Sequence, residues 1–344
     1  MKYKLGLSLL ELMLALAIGT VLMGTIVQLF NASKASYRIT EEFARLQENT
    51  RTSLSLLASD IRMAGLVPCG KTPTSHNLIN TQQDDWWGDL LQHGMRAYDG
   101  DIAKTELPLA IRDQAIVGSD VLIIYRAGSQ TASVDHTSAD HTKLILKRKQ
   151  TQDWLEDGSL IVVCDAFNTT LFQASDISHN NQPDITIASA AAQVQPGNTT
   201  DQIDHDYSQG AQVANYEPSI YFIAQSVSED GYSLFREYLN IAKGELTSRR
   251  EELVTGVENM QLQFGLDLDA QDGIADAYFS ASHIDEYYMW DAVLAVKVGL
   301  LFASEDGVRK DFDNNEYVLA DTLVSVNKDK RKRYINHFVV SVRN

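Results

Sequence analysis

Residues Leu7 to Phe30 read LSLLELMLALAIGTVLMGTIVQLF, apolar throughout except for small hydroxyls, two glycines, Gln28 and Glu11. As a helix this stretch rises about 36 Å, more than a hydrocarbon core of about 30 Å. It is long enough to cross a membrane. Lys2 and Lys4 precede it with no acid beside them, so the positive-inside bias keeps the start in the cytosol and sends the chain after residue 30 outward. An ordinary secretory signal carries its cleavage site after the apolar core, whereas Gly6 lies before it. A cut there would leave the helix on the product. Glu11 is the odd residue, because an unpaired carboxylate in lipid costs at least about 2.5 kcal/mol and calls for a partner. A free amine at the new N-terminus of a neighbouring subunit would serve.

The helical pattern does not stop at the membrane. All six prolines lie at or beyond Pro68, so nothing in residues 7–64 has to break a helix, which would reach about 87 Å. Phe43, Leu46, Thr50, Leu54, Leu57 and Ile61 recur at spacings of three and four among Glu, Arg, Gln and Ser. That is one apolar stripe, and it needs a surface to lie on. Gly65 and Pro68 supply the stop.

Composition narrows the rest. The 344 residues hold 29 Lys plus Arg against 46 Asp plus Glu, a net charge of -17, with 44% hydrophobic residues, 14 Tyr, 11 Phe and 4 Trp. This is core-forming material, which excludes disorder as the main state. The acidity argues against a groove that tracks nucleic-acid phosphates, so no nucleic acid is expected as a partner. Two cysteines exclude a four-thiolate zinc site. Outside the cytosol, Cys69 and Cys164 are expected to form one bridge, worth roughly 4.5 kcal/mol in the chain-entropy model, with two separate buried thiols as the alternative.

Apolar and alternating runs follow at residues 121–125, 144–147, 160–164, 185–188, 220–224, 234–239, 260–264, 292–302 and 338–342. Strands bounded by Asp, Gly, Asn and Ser predict an antiparallel sheet packed on the long helix, an α+β fold. Between Ser175 and Pro218 the chain turns to Asn, Gln, Asp, Ser and Gly, which predicts a long exposed insertion.

The run Gly6-Leu7-Ser8-Leu9-Leu10-Glu11-Leu12 resembles the class III signal of type IV pilins and pseudopilins: a short basic leader, glycine at the cut, and glutamate as the fifth mature residue. In that family a prepilin peptidase cuts after the glycine and methylates the new amine, and the glutamate aids docking into the growing filament. The resemblance implies cleavage between Gly6 and Leu7, N-methylation of Leu7 and docking through Glu11. The family usually has Phe where this chain has Leu7. Further segments resemble the PilW family of minor pilins: Asn49-Thr50-Arg51 leading into Leu57-Ala58-Ser59-Asp60-Ile61-Arg62-Met63-Ala64-Gly65, then residues 252–261, then Val339 to Asn344. Residues 70–215 carry little of the likeness.

The organisation implied is a leader over 1–6, a transmembrane or filament-core helix over 7–30, an amphipathic continuation over 31–65, and an extracytoplasmic α+β head over 66–344. The resemblance further implies a minor pilin of a priming or tip complex, stored in the inner membrane as a single-pass protein with its head in the periplasm. Its partners would be other minor pilins, the major pilin, a tip adhesin and the prepilin peptidase, with roles in adhesion and twitching. The rivals are a minor pseudopilin of a type II secretion system and a membrane-anchored extracytoplasmic enzyme. No convergent nucleophile, base and oxyanion donors are legible, so no chemistry is expected.

Several motifs have plainer readings beside the functional one. Gly65 to Thr72 matches the phosphate-cradling loop pattern, yet a helical stripe precedes it and no helical pattern follows, so the dipole geometry that mechanism needs is missing. Asp267, Asp269, Asp272, Gly273 and Asp276 form an acidic turn that could supply oxygens to calcium, or simply a solvated turn. PilW-like chains often carry Asp-x-Asp-Gly-Asp-Gly here, whereas this chain inserts a residue and has Gln271. Asp135, His136, Asp140 and His141 lack helical spacing and read as a polar turn. The basic cluster Lys328, Lys330, Arg331, Lys332 and Arg333 reads as a charged link before the last strand. Trp86 and Trp87 read as partly buried in their own fold.

Overall fold

The computed structural model describes residues 8–70, 74–81, 85–88, 93–147, 154–179, 183–187, 194–242, 245–268, 272–305, 307–308 and 311–342. Helix α1 (Leu9–Arg62) runs 54 residues without a break. From Ser8 to Glu41 every residue is exposed. Burial begins at Leu46 and continues at Thr50, Ser53, Leu57, Ala58 and Ile61. The expected stripe is therefore largely in place, but Phe43 and Leu54 stay more than a third exposed, and Ser53 is buried instead. Leu57 and Ile61 are fully buried, each contributing about 1.5–3 kcal/mol. The helix ends at Met63, and Gly65 turns the chain at φ +72° with its N–H donating to the Tyr125 carbonyl at 2.8 Å. Gly94 abuts this turn so closely that a Cβ on it would lie 2.7 Å from the Gly65 nitrogen. Two glycines let the helix end and a strand meet backbone to backbone.

The strands follow in order: β1 (Thr74–Asn77), β2 (Met95–Tyr98), β3 (Val121–Ile124), β4 (Ala127–Thr137), β5 (Lys143–Leu146), β6 (Leu160–Cys164), β7 (Asn168–Ser178), β8 (Asp184–Ile187) and β9 (Gln212–Tyr216). The second half holds β10 (Ser219–Gln225), β11 (Tyr232–Ala242), β12 (Glu245–Thr255), β13 (Val257–Leu266), β14 (Ala277–Phe279), the short helix α2 (Ala281–Glu286), β15 (Val293–Ala303), β16 (Glu316–Leu319), β17 (Thr322–Ser325) and β18 (Arg333–Ser341). The class is α+β. Instead of one sheet, α1 meets two: a five-stranded antiparallel sheet ordered β12-β11-β10-β3-β2 and a four-stranded one ordered β14-β13-β15-β18. Their shared core joins Leu46, Leu57 and Ile61 to Leu122, Ile223, Met260, Phe264, Val298 and Phe302.

The five-stranded sheet is covered on both faces, which is why β3 and β10 read as unbroken apolar runs. Leu122, Ile124, Tyr221 and Ile223 face the helix core, while Ile123, Tyr125, Ile220 and Phe222 join a second core with Leu160, Val162 and Leu171. Asp120 ties the two sheets, accepting the Gly100 and Leu262 N–H groups at 2.7 Å each.

The third element is a barrel, which the single sheet expected from the apolar runs does not include. Strands β4, β5, β8, β7, β6 and β9 pair antiparallel in that circular order and close a barrel, with β1 added parallel to β7. It grows from two neighbouring strands, since Ile124 pairs with Ser219 and Ala127 with Tyr216. Residues 175–218 are thus not an exposed insertion: Ile177, Ile185, Ile203, Tyr207 and Val213 are buried in the barrel core. Polar residues dominate this stretch because its strands are short and the connections between them are long.

Candidate functional site

The most prominent surface on the molecule is the bare half of α1. Its most apolar window has a mean hydropathy of 2.1 with none of it buried, and the helix is long and apolar enough to cross a membrane. Its hydroxyls are satisfied internally, Thr20 donating to the Ala17 carbonyl at 2.9 Å and Thr25 to Leu22 at 2.7 Å. That removes the desolvation cost a free hydroxyl would carry in an apolar setting. At the start, Ser8 and Glu11 form a capping box: the Ser8 hydroxyl accepts the Glu11 N–H at 3.2 Å, and the Glu11 carboxylate accepts the Ser8 N–H at 2.9 Å. Gly6 and Leu7 lie outside the described residues.

Where the helix leaves its bare half, the β-rich body grips it. Arg45 bridges Glu42 at 3.0 Å and Glu229 at 2.8 Å, Asn49 donates to the Thr255 carbonyl at 2.9 Å, and the Lys332 ammonium stands 4.9 Å from the Phe43 ring centre. At the far end the Tyr221 hydroxyl donates to Asp60, and Arg126 lies 3.7 Å from the same carboxylate. Burial and the Asp60 charge hold the Tyr221 phenol protonated well above its usual range.

The basic cluster before β18 is structural. Arg333, whose side chain is 1% exposed, donates to Glu258 at 2.6 and 3.0 Å, to Asp329 at 2.7 and 2.8 Å and to Asp313 at 3.2 Å. Burial opposes its charge, but the bonds to Asp329 and Glu258 outweigh it and raise its pKa. Lys328 and Lys330 lie over Phe312. The sequence showed a charged link; it did not show that one arginine turns inward to three carboxylates. Glu258 and Asp60 both fall inside segments singled out for their likeness to PilW, which was the available signal.

Cys69 and Cys164 are bonded, with an S–S distance of 2.12 Å and Cα atoms 5.8 Å apart. The bridge ties the loop after α1 to barrel strand β6, and it occupies the loop that mimicked a phosphate cradle, of which Lys71 and Thr72 lie outside the described residues. In the acidic turn, Asp267 accepts the Gly273 N–H, Asp272 that of Ile274, and Asp276 that of Leu268, at 2.8–2.9 Å. Asp269 lies outside the described residues. Among the described residues no group of three His, Cys, Asp or Glu side chains is placed to hold a metal ion. Asp135 to His141 spans the end of β4 and the turn into β5, where His141 contacts the Ile203 carbonyl at 2.9 Å. Trp87 is buried and Trp86 partly so, both against the second core.

An unbroken helix, apolar and bare at one end and held at the other by an α+β body, is long and apolar enough to serve as a membrane anchor. Residues 220–344 match the family model described as Type IV pilus-assembly protein W, which supports the PilW family for this chain and with it a function related to type IV pilus assembly. The match takes in β10 to β18, including Tyr221, Glu258 and Arg333, and not the barrel. No curated protein and no solved structure matches the chain.

Proposed function

We propose that the chain is a minor pilin of PilW type, a structural subunit of a priming or tip complex for type IV pilus assembly. It is stored in the inner membrane through residues 7–30 with its body outside, cut after Gly6, methylated on Leu7, and docked through Glu11 to the amine of a neighbouring subunit. The observation that carries this reading is one helix that is bare and apolar from Leu9 to Phe30 yet locked from Leu46 onward against two sheets, most of whose strands lie in the stretch that matches the PilW model. Transfer of the bare half from lipid into a helical bundle would be driven by close packing, with Glu11 neutralised rather than stranded. Other minor pilins, the major pilin and a tip adhesin are the partners this role requires, and no catalysis is asked of the body.

Replacing Glu11 with Ala tests the docking role. The variant should remain in the membrane and fail to support surface pili. Normal piliation would contradict the role. Deletion separates the pilus from its rival machine: loss of twitching supports this reading, and loss of enzyme secretion with pili intact supports the pseudopilin.

A further inference from the structure

Helix α2 closes with a Schellman motif: the Met289 N–H donates to the Ile284 carbonyl at 2.9 Å and the Tyr288 N–H to Asp285 at 3.2 Å. The residue after the cap in this motif is left-handed, and glycine or asparagine is its ordinary occupant. Here it is Tyr288, at φ +56° and 85% exposed. A bulky side chain in that conformation costs stability, and a ring pointing into water recovers none of it. Tyr287 beside it is 57% exposed and ends a surface ladder in which His283 stacks on Phe279 at 4.6 Å and meets Tyr287 at 4.7 Å. A rigid, amphipathic aromatic pair of this kind is what binding hot spots use.

The surroundings set the partner's charge. Asp285 and Asp291 are 51% and 60% exposed on either side of the pair, Glu286 is exposed, and Val293 pairs in register with Leu266, after which the acidic turn begins. Against these carboxylates stand only Arg96, 3.5 Å from Asp285, and His93, 3.6 Å from Asp291, among the described ion pairs. Aromatic faces rimmed by carboxylates attract guanidinium and ammonium groups and repel phosphates. We propose that Tyr287 and Tyr288 anchor a docking surface for a lysine- or arginine-bearing segment of another protein. This surface stands on the body alone and does not depend on how the N-terminal helix is used.

The test is photocrosslinking in the producing cells, on the full chain, with a photoreactive phenylalanine derivative in place of Tyr288 and, as control, in place of the equally exposed Val227. The expected product appears at 288 and not at 227, maps to a basic segment of another protein, and falls several-fold when Glu286→Lys is added. No product, or a product on lipid, nucleic acid or a neutral or acidic segment, overturns the proposal. Tyr288→Asn separates docking from folding. With the crosslinker at Tyr287, it should cut the yield about tenfold while the melting temperature holds or rises by about 1–3 °C. A melting temperature lowered by more than that assigns Tyr288 to the fold and removes it from the surface.

Discussion

Arg333 and Glu258 meet through two hydrogen bonds, at 2.6 and 3.0 Å, on a side chain that is 1% exposed. The pair sits where β18 begins and β13 begins, beside the point at which Lys332 covers Phe43 of α1. Removing one partner of a buried pair strands the other, which costs about 3–5 kcal/mol. Arg333→Met should therefore lower stability by that amount in urea denaturation. A loss under about 1 kcal/mol would show that the network is solvated and not a lock.

The same network sets the acid limit. Burial works against the charge of Asp329, but the hydrogen bond from Arg333 prevails and lowers its pKa. A folded value below the unfolded one contributes stability above the usual Asp value of about 3.8, lost as pH falls through the folded value. Asp120 has the opposite sign. Burial pushes it up to about 8, with Asp99 adding to the shift, so its contribution is complete below the unfolded value and drains away as pH rises through about 8. Melting temperatures should fall on both sides of a maximum, with Asp329→Asn flattening the acid limb and Asp120→Asn the alkaline one.

Cys69→Ser with Cys164→Ser removes a bridge across a separation of 95 residues. The chain-entropy model sets the loss at up to roughly 4.5 kcal/mol. Since the second core also holds the barrel to the five-stranded sheet, the double variant should melt earlier yet keep its far-ultraviolet circular dichroism at 25 °C. Loss of that signal would mean the bridge alone holds the barrel.

Asp267, Asp272 and Asp276 already cap backbone N–H groups of their own turn. Millimolar calcium is accordingly expected to leave the melting temperature unchanged. A calcium-dependent rise that Asp272→Asn abolishes would place an ion there.

Much of this architecture was legible because a few residues left little choice. Leu7 to Phe30 could only be a membrane-length helix, the absence of proline before Pro68 carried it onward, and β3, β6, β10, β13 and β15 announced themselves as apolar runs buried on two faces. The barrel was hidden because β5, β6 and β8 read as ordinary strands of a single sheet, while β4 mixes buried and exposed residues and β9 is short, so no pattern showed that the six strands close on one another. β12, Glu245–Thr255, carries Arg249, Arg250, Glu251 and Glu252 on an edge strand and offers no apolar run to mark it. The disulfide followed from compartment, whereas the inward turn of Arg333 needed the fold of Asp313 and Asp329 around it.

The most direct measurement is the intact mass of the protein isolated from cells that process comparable subunits. The account predicts a chain beginning at Leu7 with one methyl group on its amine. A chain that keeps Met1 to Gly6 in those cells would contradict it.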